Sequence, residues 1–198
     1  MTAGARVPFA VAFPVAADLV ARMSAPCERV AVAGSLRRGK GLVGDIEIVA
    51  MPWLLDEPDG LWGTRKVSAL DRLLSNLVAA GLLAGAESVG KVAAMGERYQ
   101  KFAHVESGLQ VDLFIVRPPA QWGVIFLIRT GPAEFSQWLV TEARRRHFHV
   151  TGGALHRGSM GCIPSTSCEV VDTPDEPAVF AALGMEYLRP AERGVARS

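Results

Sequence analysis

The chain has 198 residues, 49% hydrophobic and 21% charged, the composition of a folded protein of one domain or two small subdomains. Lysine and arginine total 21 against 20 aspartates and glutamates, a formal charge of +1. That balance excludes an acidic solvating chain and a generally polybasic nucleic-acid coat, but not a local basic groove. Cys27, Cys162 and Cys168, an odd number of cysteines, argue against a disulfide-built secreted fold and predict reduced thiols. Pro8 and Pro14 interrupt the apolar start and Asp18 and Arg22 follow it, unlike a signal peptide. No uncharged run reaches the ~18 residues of a membrane span. A cytoplasmic protein with no membrane contact is expected.

In chain order, Val15, Ala16, Leu19, Val20 and Met23 recur at helical spacing and predict an opening helix over 14–24. Residues 29–33 (RVAVA) predict a short strand that runs directly into Gly34-Ser35. Over 44–51 the sequence alternates, with Ile46, Ile48 and Ala50 facing one way and Asp45, Glu47 and Val49 the other. The Pro and Gly content of 52–64 predicts a loop. Leu70, Leu73, Leu74, Leu77 and Val78 make 67–83 an amphipathic helix. Two strands follow over 98–105 and 109–116, joined at Ser107-Gly108 in hairpin fashion. Pro118 and Pro119 open a helix through Trp122 to Ile128. Thr130-Gly131-Pro132 breaks it, and a second helix covers 133–146. The remainder is Gly-rich with short strand-like pieces and a small helix over 177–183. The layout is a mixed fold of strands and helices with a smaller C-terminal lobe.

The chemistry concentrates in three acids. Strand residues two apart share a face, so Asp45 and Glu47 present two carboxylates together, and Asp112 interrupts the apolar strand VDLFIV. Each acid taken singly also fits a solvated edge carboxylate or a salt bridge. Three such groups on neighbouring strands point to a hard cation with oxygen ligands, Mg²⁺ foremost, because clustered carboxylates are costly unless paired or metal-bound. Ahead of them stands AVAGSLRRGKGLVG. A strand ending in Gly34-Ser35 and entering a helical turn offers free backbone N–H groups to an anion. Arg37, Arg38 and Lys40 add positive charge where phosphates would lie.

The sequence GSLRRGKGLVGDIEIV resembles the palm motif of family X DNA polymerases, the DNA polymerase β-like group of the nucleotidyltransferase superfamily. VDLFIVRPPAQWGVIFLIRTGPAEF resembles the strand with the third acid, the helix after it and the Thr-Gly turn near the incoming nucleotide. WLVTEARRRHFHVTGGALHRG is similar to the thumb segment, and VFAALGMEYLRPAER to the closing helix and its Pro–Glu–Arg end. The resemblance implies an α+β fold: a nucleotidyltransferase palm with a mixed sheet and helices over 1–130, and a small thumb over 131–198. About 28 residues precede the palm stretch, so a minimal palm-plus-thumb form without the lyase and helix-hairpin-helix domains is expected.

By this resemblance, Asp45 and Glu47 would hold two Mg²⁺ ions (Mn²⁺ substituting), and Asp112 would bind the catalytic metal beside the primer 3′-hydroxyl. Gly34, Ser35 and Arg38, with Lys40 a weaker candidate and Thr130 and Gly131 nearby, would bind the nucleotide, a dNTP or NTP. The middle acid is Glu where the group commonly has Asp. Ile128 and Arg129 stand where familiar members have an aromatic pair that helps exclude ribonucleotides, so weakened sugar discrimination is expected. Members tend to have a cis peptide after the turn glycine, and proline lowers its cost to ~0.5–1 kcal/mol. A cis Gly131–Pro132 bond is therefore expected, and a trans bond counts against this alignment of the turn.

Arg144, Arg145 and Arg146, followed by His147 and His149, fit either cations at a helix C-terminus or contacts to template and primer phosphates. Lys91, Arg98 and Lys101 fit the same groove. Tyr99, Phe102 and Trp138 read as core, and so does Cys27. His156, Cys162 and Cys168 match no standard zinc spacing. The expected activity is Mg²⁺-dependent nucleotidyl transfer on primer–template or gapped DNA, as in DNA repair, by a monomer. The alternative is a template-independent or RNA- or protein-modifying transferase on the same palm. A non-catalytic binding domain is a third reading, and the intact acid triad argues against it.

Overall fold

A computed structural model of the chain describes residues 6–59, 63–85, 97–158 and 168–194. In chain order these form β1 (Val7–Pro8), α1 (Phe9–Met23), β2 (Cys27–Val32), α2 (Gly34–Arg37), β3 (Leu42–Val43), β4 (Ile46–Pro52), β5 (Leu54–Asp59), β6 (Gly63–Ser68), α3 (Ala69–Ala79), β7 (Leu83–Gly85), β8 (Tyr99–His104) and β9 (Gln110–Ile115). There follow α4 (Trp122–Thr130), α5 (Ala133–Arg145), β10 (Phe148–Thr151), β11 (Ala154–Arg157), β12 (Glu169–Val171), α6 (Glu176–Ala182) and a closing 3₁₀ turn at Pro190–Gly194. The elements group into two compact units, residues 6–32 with 40–115, and residues 33–39 with 116–194. The boundary expected at 130/131 does not coincide with this division. Helix α4 packs with α6 and α2, which draws 116–130 and 33–39 into the second unit.

The first unit is built on a mixed sheet in the order β2-β4-β9-β8-β7. Strands β4 and β9 run parallel and the remaining neighbours antiparallel, so the fold is the expected α+β type. Helix α1 packs on β2 and β4 through Ala12, Ala16, Leu19 and Met23, all fully buried. That stripe begins before Pro14, and the helix therefore starts at Phe9 and carries Pro14 inside it. Strand β4 is more deeply buried than its alternation implied: Ile46, Ile48, Val49 and Ala50 are all covered, and Glu47 only half so. Helix α3 stops at Ala79 because Gly81 takes a left-handed backbone, φ +71°. Gly81 N–H then donates to Val78 O, and Leu82 N–H to Leu77 O, the capping pattern that glycine makes inexpensive.

The segment expected as a loop at 52–64 supplies instead β5 and the start of β6, an antiparallel ribbon. Ion pairs line its exposed side chains. Lys66 reaches Asp56 at 2.8 Å, and Glu57 meets Arg65 at 3.6 Å and Arg72 at 2.9 Å. Both strands of a two-stranded ribbon are edges, where Pro58 is tolerated.

The second unit surrounds a core that includes Val124, Leu127, Phe135, Leu139, Phe180 and Leu183, covered by the sheet β10-β11-β12. Gly123 lies against the backbone carbonyls of Thr173 and Asp175, so closely that a Cβ would overlap them. Its N–H donates to Thr173 O at 3.0 Å. Among the described residues the cis peptide bond is Pro118–Pro119. The expected cis Gly131–Pro132 bond is thus trans, and the alignment of this turn with the family's loses that support. Gly131 instead extends (φ −71°, ψ 154°) and Pro132 precedes α5 as its N-cap; even before proline the trans form is favoured. Cys27 is a free, buried thiol, whereas Cys168 is disulfide-bonded, a correction to the reduced thiols expected from the odd count. Among the described residues no helix is long and apolar enough to cross a membrane.

Candidate active site

The acid face belongs to the first unit. Parallel pairing sets Glu47 of β4 directly beside Asp112 of β9. Asp45 stands in the bend that leads into β4, two residues before Glu47. All three are half-buried. On the other side of Asp112, antiparallel β8 places Lys101 in register with it. Side chains directly opposite in neighbouring strands share a face, so Glu47, Asp112 and Lys101 form one row across three strands.

Asp112 is held within that face by neutral donors. The Tyr99 hydroxyl donates to its Oδ1 at 3.0 Å, and Gln110 Nε2 donates to the same oxygen at 3.1 Å. The Tyr99 ring stacks on Phe114 with centroids 5.1 Å apart, which fixes the hydroxyl over the strand. Tyr99 is partly exposed and lies on the acid face, whereas the sequence suggested core. Phe102 is buried as expected.

The oxygen-only donor set and the side-by-side register of Glu47 and Asp112 fit a hard divalent cation. As the side chains stand, no three Asp, Glu, His or Cys groups converge on one point among the described residues. Cation binding there requires at least one of the carboxylates to re-aim on a backbone already placed.

The second unit holds the Gly34-Ser35 turn. Gly34 is buried with φ +59°, a conformation few other residues adopt. The Ser35 hydroxyl is enclosed without a hydrogen-bond partner among the described residues. Arg38 donates to the Thr130 carbonyl, and Arg37 donates to the Thr130 hydroxyl at 2.6 Å. Thr130 is fully buried, and a side chain at Gly131 would run into the Phe135 ring. In this structure, therefore, Arg38, Thr130 and Gly131 are engaged within their own unit. Lys40 is exposed on the loop after α2, in the first unit.

The largest feature missed by the sequence reading is a buried ion network. Arg37 grips both oxygens of Glu176, at 2.6 and 2.7 Å, and stacks its guanidinium 3.8 Å from the centre of the Phe126 ring. Arg193, itself buried, grips the same two oxygens at 2.6 and 3.1 Å. Burial pushes the Glu176 pKa up, but the hydrogen bonds and charges of Arg37 and Arg193 outweigh it and hold the carboxyl below its ordinary value. The available signal was Arg193 in the Pro–Glu–Arg end: an arginine beside a closing helix that opens on an acid.

Arg144, Arg145 and Arg146 are exposed where α5 ends. Arg145 and Arg146 both contact Glu142, at 2.7 and 3.4 Å, and their charge is in part offset. His149 leaves the basic cluster: it is buried and stacks on His156 across β10 and β11, ring centroids 5.2 Å apart. Burial pushes the Cys27 thiol up to about 11, so it stays protonated at neutral pH. Lys91 and Cys162 lie outside the described residues.

Two comparisons bear on this arrangement. The family model for the DNA polymerase beta thumb matches residues 125–194, most of the second unit. DNA polymerase lambda of Rattus norvegicus is 27% identical over 168 residues, covering 81% of this chain and 28% of that polymerase. The chain thus spans little more than a quarter of the curated relative's length. With a mixed sheet bearing the acids in one unit and a match to the beta-type thumb in the other, the chain is similar to family X DNA polymerases over most of its length.

Proposed function

We propose that the chain catalyses metal-dependent transfer of a nucleotide from a dNTP or NTP to the 3′-hydroxyl of a primer–template or gapped DNA, as in repair synthesis. One observation carries the reading: Glu47 and Asp112 stand side by side in adjacent strands, Asp45 two residues before Glu47, in a chain that also carries a polymerase thumb. The three carboxylates would hold two Mg²⁺ ions, or Mn²⁺ in their place. Bound there, such cations neutralise charge on the transferred phosphoryl group and lower the pKa of the attacking hydroxyl. Asp112 orients the primer end. The Ser35 hydroxyl and the exposed Lys40, with Arg38, are the groups offered to the nucleotide's phosphates. Arg144, Arg145 and Arg146 offer charge to the DNA backbone. The protein is proposed to act as a cytoplasmic monomer.

The test incubates the full chain with Mg²⁺, a labelled primer–template carrying a short gap, and each dNTP or rNTP singly, beside Asp112→Ala. Templated extension that falls at least ~10³-fold in Asp112→Ala is expected, since a lost metal ligand forfeits several kcal/mol of transition-state stabilisation. Both sugars should be used. Untemplated addition would move the reading to a terminal transferase. No extension on any primer, with nucleotide still bound, would overturn it in favour of RNA or protein acceptors.

A further inference from the structure

We infer that Tyr99, with Gln110, is a positioning residue for the third acid: the pair clamps one oxygen of Asp112 and presents the carboxylate for metal binding through the other. The inference rests on the metal-dependent reading of the acid face and concerns residues that are not themselves ligands. Both hydrogen bonds to Asp112 fall on Oδ1, from two different strands. Gln110 is two residues before Asp112 on β9, and so on its face. Tyr99 arrives from β8, two residues from Lys101, the register partner of Asp112.

A carboxylate on a β-strand turns about two side-chain bonds. Donors from two directions to one oxygen remove that freedom in a way that one donor cannot. The donors are neutral and leave the negative charge of Asp112 in place for a cation, which an arginine there would cancel. Oδ2 carries no hydrogen bond among the described residues, so the clamp leaves one oxygen for monodentate ligation. Tyr99 is itself fixed by its stacking on Phe114. Oriented partners of metal ligands of this kind are worth about 10–100-fold in metal affinity.

The test measures Mn²⁺ binding by the full chain, without DNA or nucleotide, from the free-ion electron paramagnetic resonance signal. Wild type, Asp112→Ala, Tyr99→Phe and Gln110→Ala are compared. Tyr99→Phe keeps the stacked ring and removes only the hydroxyl, and near-ultraviolet circular dichroism checks that the fold is retained. Mn²⁺ affinity reduced about tenfold or more in Tyr99→Phe, and likewise in Gln110→Ala, supports the clamp. Wild-type affinity in both variants overturns it while the metal site stands. Tighter binding in Tyr99→Phe also overturns it, because the hydroxyl would then be competing with the cation. If wild type binds no more Mn²⁺ than Asp112→Ala, the metal reading of the face fails, and the clamp falls with it.

Discussion

Glu176 in the thumb unit and Asp112 in the palm unit each accept several hydrogen bonds, yet they are built for opposite ends. Glu176 is almost fully buried and receives four bonds from two guanidiniums, two on each oxygen. Asp112 is half-buried and receives two bonds from neutral donors, both on one oxygen. Removing Glu176 would leave Arg37 and the buried Arg193 facing each other with no counter-ion, whereas loss of one arginine still leaves a paired carboxylate, so the network hangs on the glutamate. The palm carboxylate receives no guanidinium and leaves its second oxygen for the cation proposed to bind there. A carboxylate that arrives with its countercharge is scaffold; one offered neutral donors on the face of a central strand is the one proposed as a site.

The sharpest break between them is stability against activity. Glu176→Gln should destabilise the thumb by about 3–5 kcal/mol, the cost of breaking a buried pair from one side, read as a fall in the urea midpoint at unchanged slope. Asp112→Asn should change the unfolding free energy by less than about 1 kcal/mol while abolishing extension. Equal losses of stability in the two variants would erase the distinction. Acid titration probes the same contrast. The folded pKa of Glu176 is depressed, so its stabilisation is complete above the unfolded carboxylate value of ~4.3 and is lost as pH falls through the lower folded value. Wild type should lose stability across that acid window, and Glu176→Gln should lose less.

The arginines divide the same way. Arg37 and Arg193 are committed to Glu176, whereas Arg144, Arg145 and Arg146 end α5 in solvent. Replacing the three by Gln should leave the unfolding free energy in urea within about 0.5 kcal/mol of wild type. DNA affinity should weaken, and the slope of log K against log salt should become shallower by roughly 0.7–0.9 for each phosphate no longer neutralised. An unchanged salt slope would assign them to the helix terminus and to Glu142 alone.

How far these features could be read from sequence depends on how far apart their parts lie in the chain. Asp45 and Glu47 are local: a two-residue spacing between aliphatics was enough, and Asp112 announced itself by interrupting an apolar strand. The row through Lys101 was not legible, because it depends on register. A two-residue turn at Ser107-Gly108 would set Asp112 opposite Ala103. The actual turn is longer, with His104 N–H donating to Leu109 O, and it slides Lys101 into that place. The β5-β6 ribbon was hidden by Pro58 and by acids that read as loop until their basic partners on the other strand are known. The Glu176 network joins residues 139 positions apart, and no local pattern encodes such a contact.

That register gives the smallest prediction and the finest test of the row. Lys101 and Asp112 are cross-strand neighbours, at the spacing where opposite charges interact. Before any cation binds, Lys101 lowers the cost of assembling the acid face; once one binds, it repels it. Exposed pairs of this kind are worth about 0.2–1 kcal/mol, so Lys101→Met should tighten Mn²⁺ binding by no more than about fivefold. The gain should shrink with added salt as the interaction is screened. Weaker binding in Lys101→Met would instead mean that the lysine helps hold the carboxylates in place, making its role on the face structural rather than electrostatic.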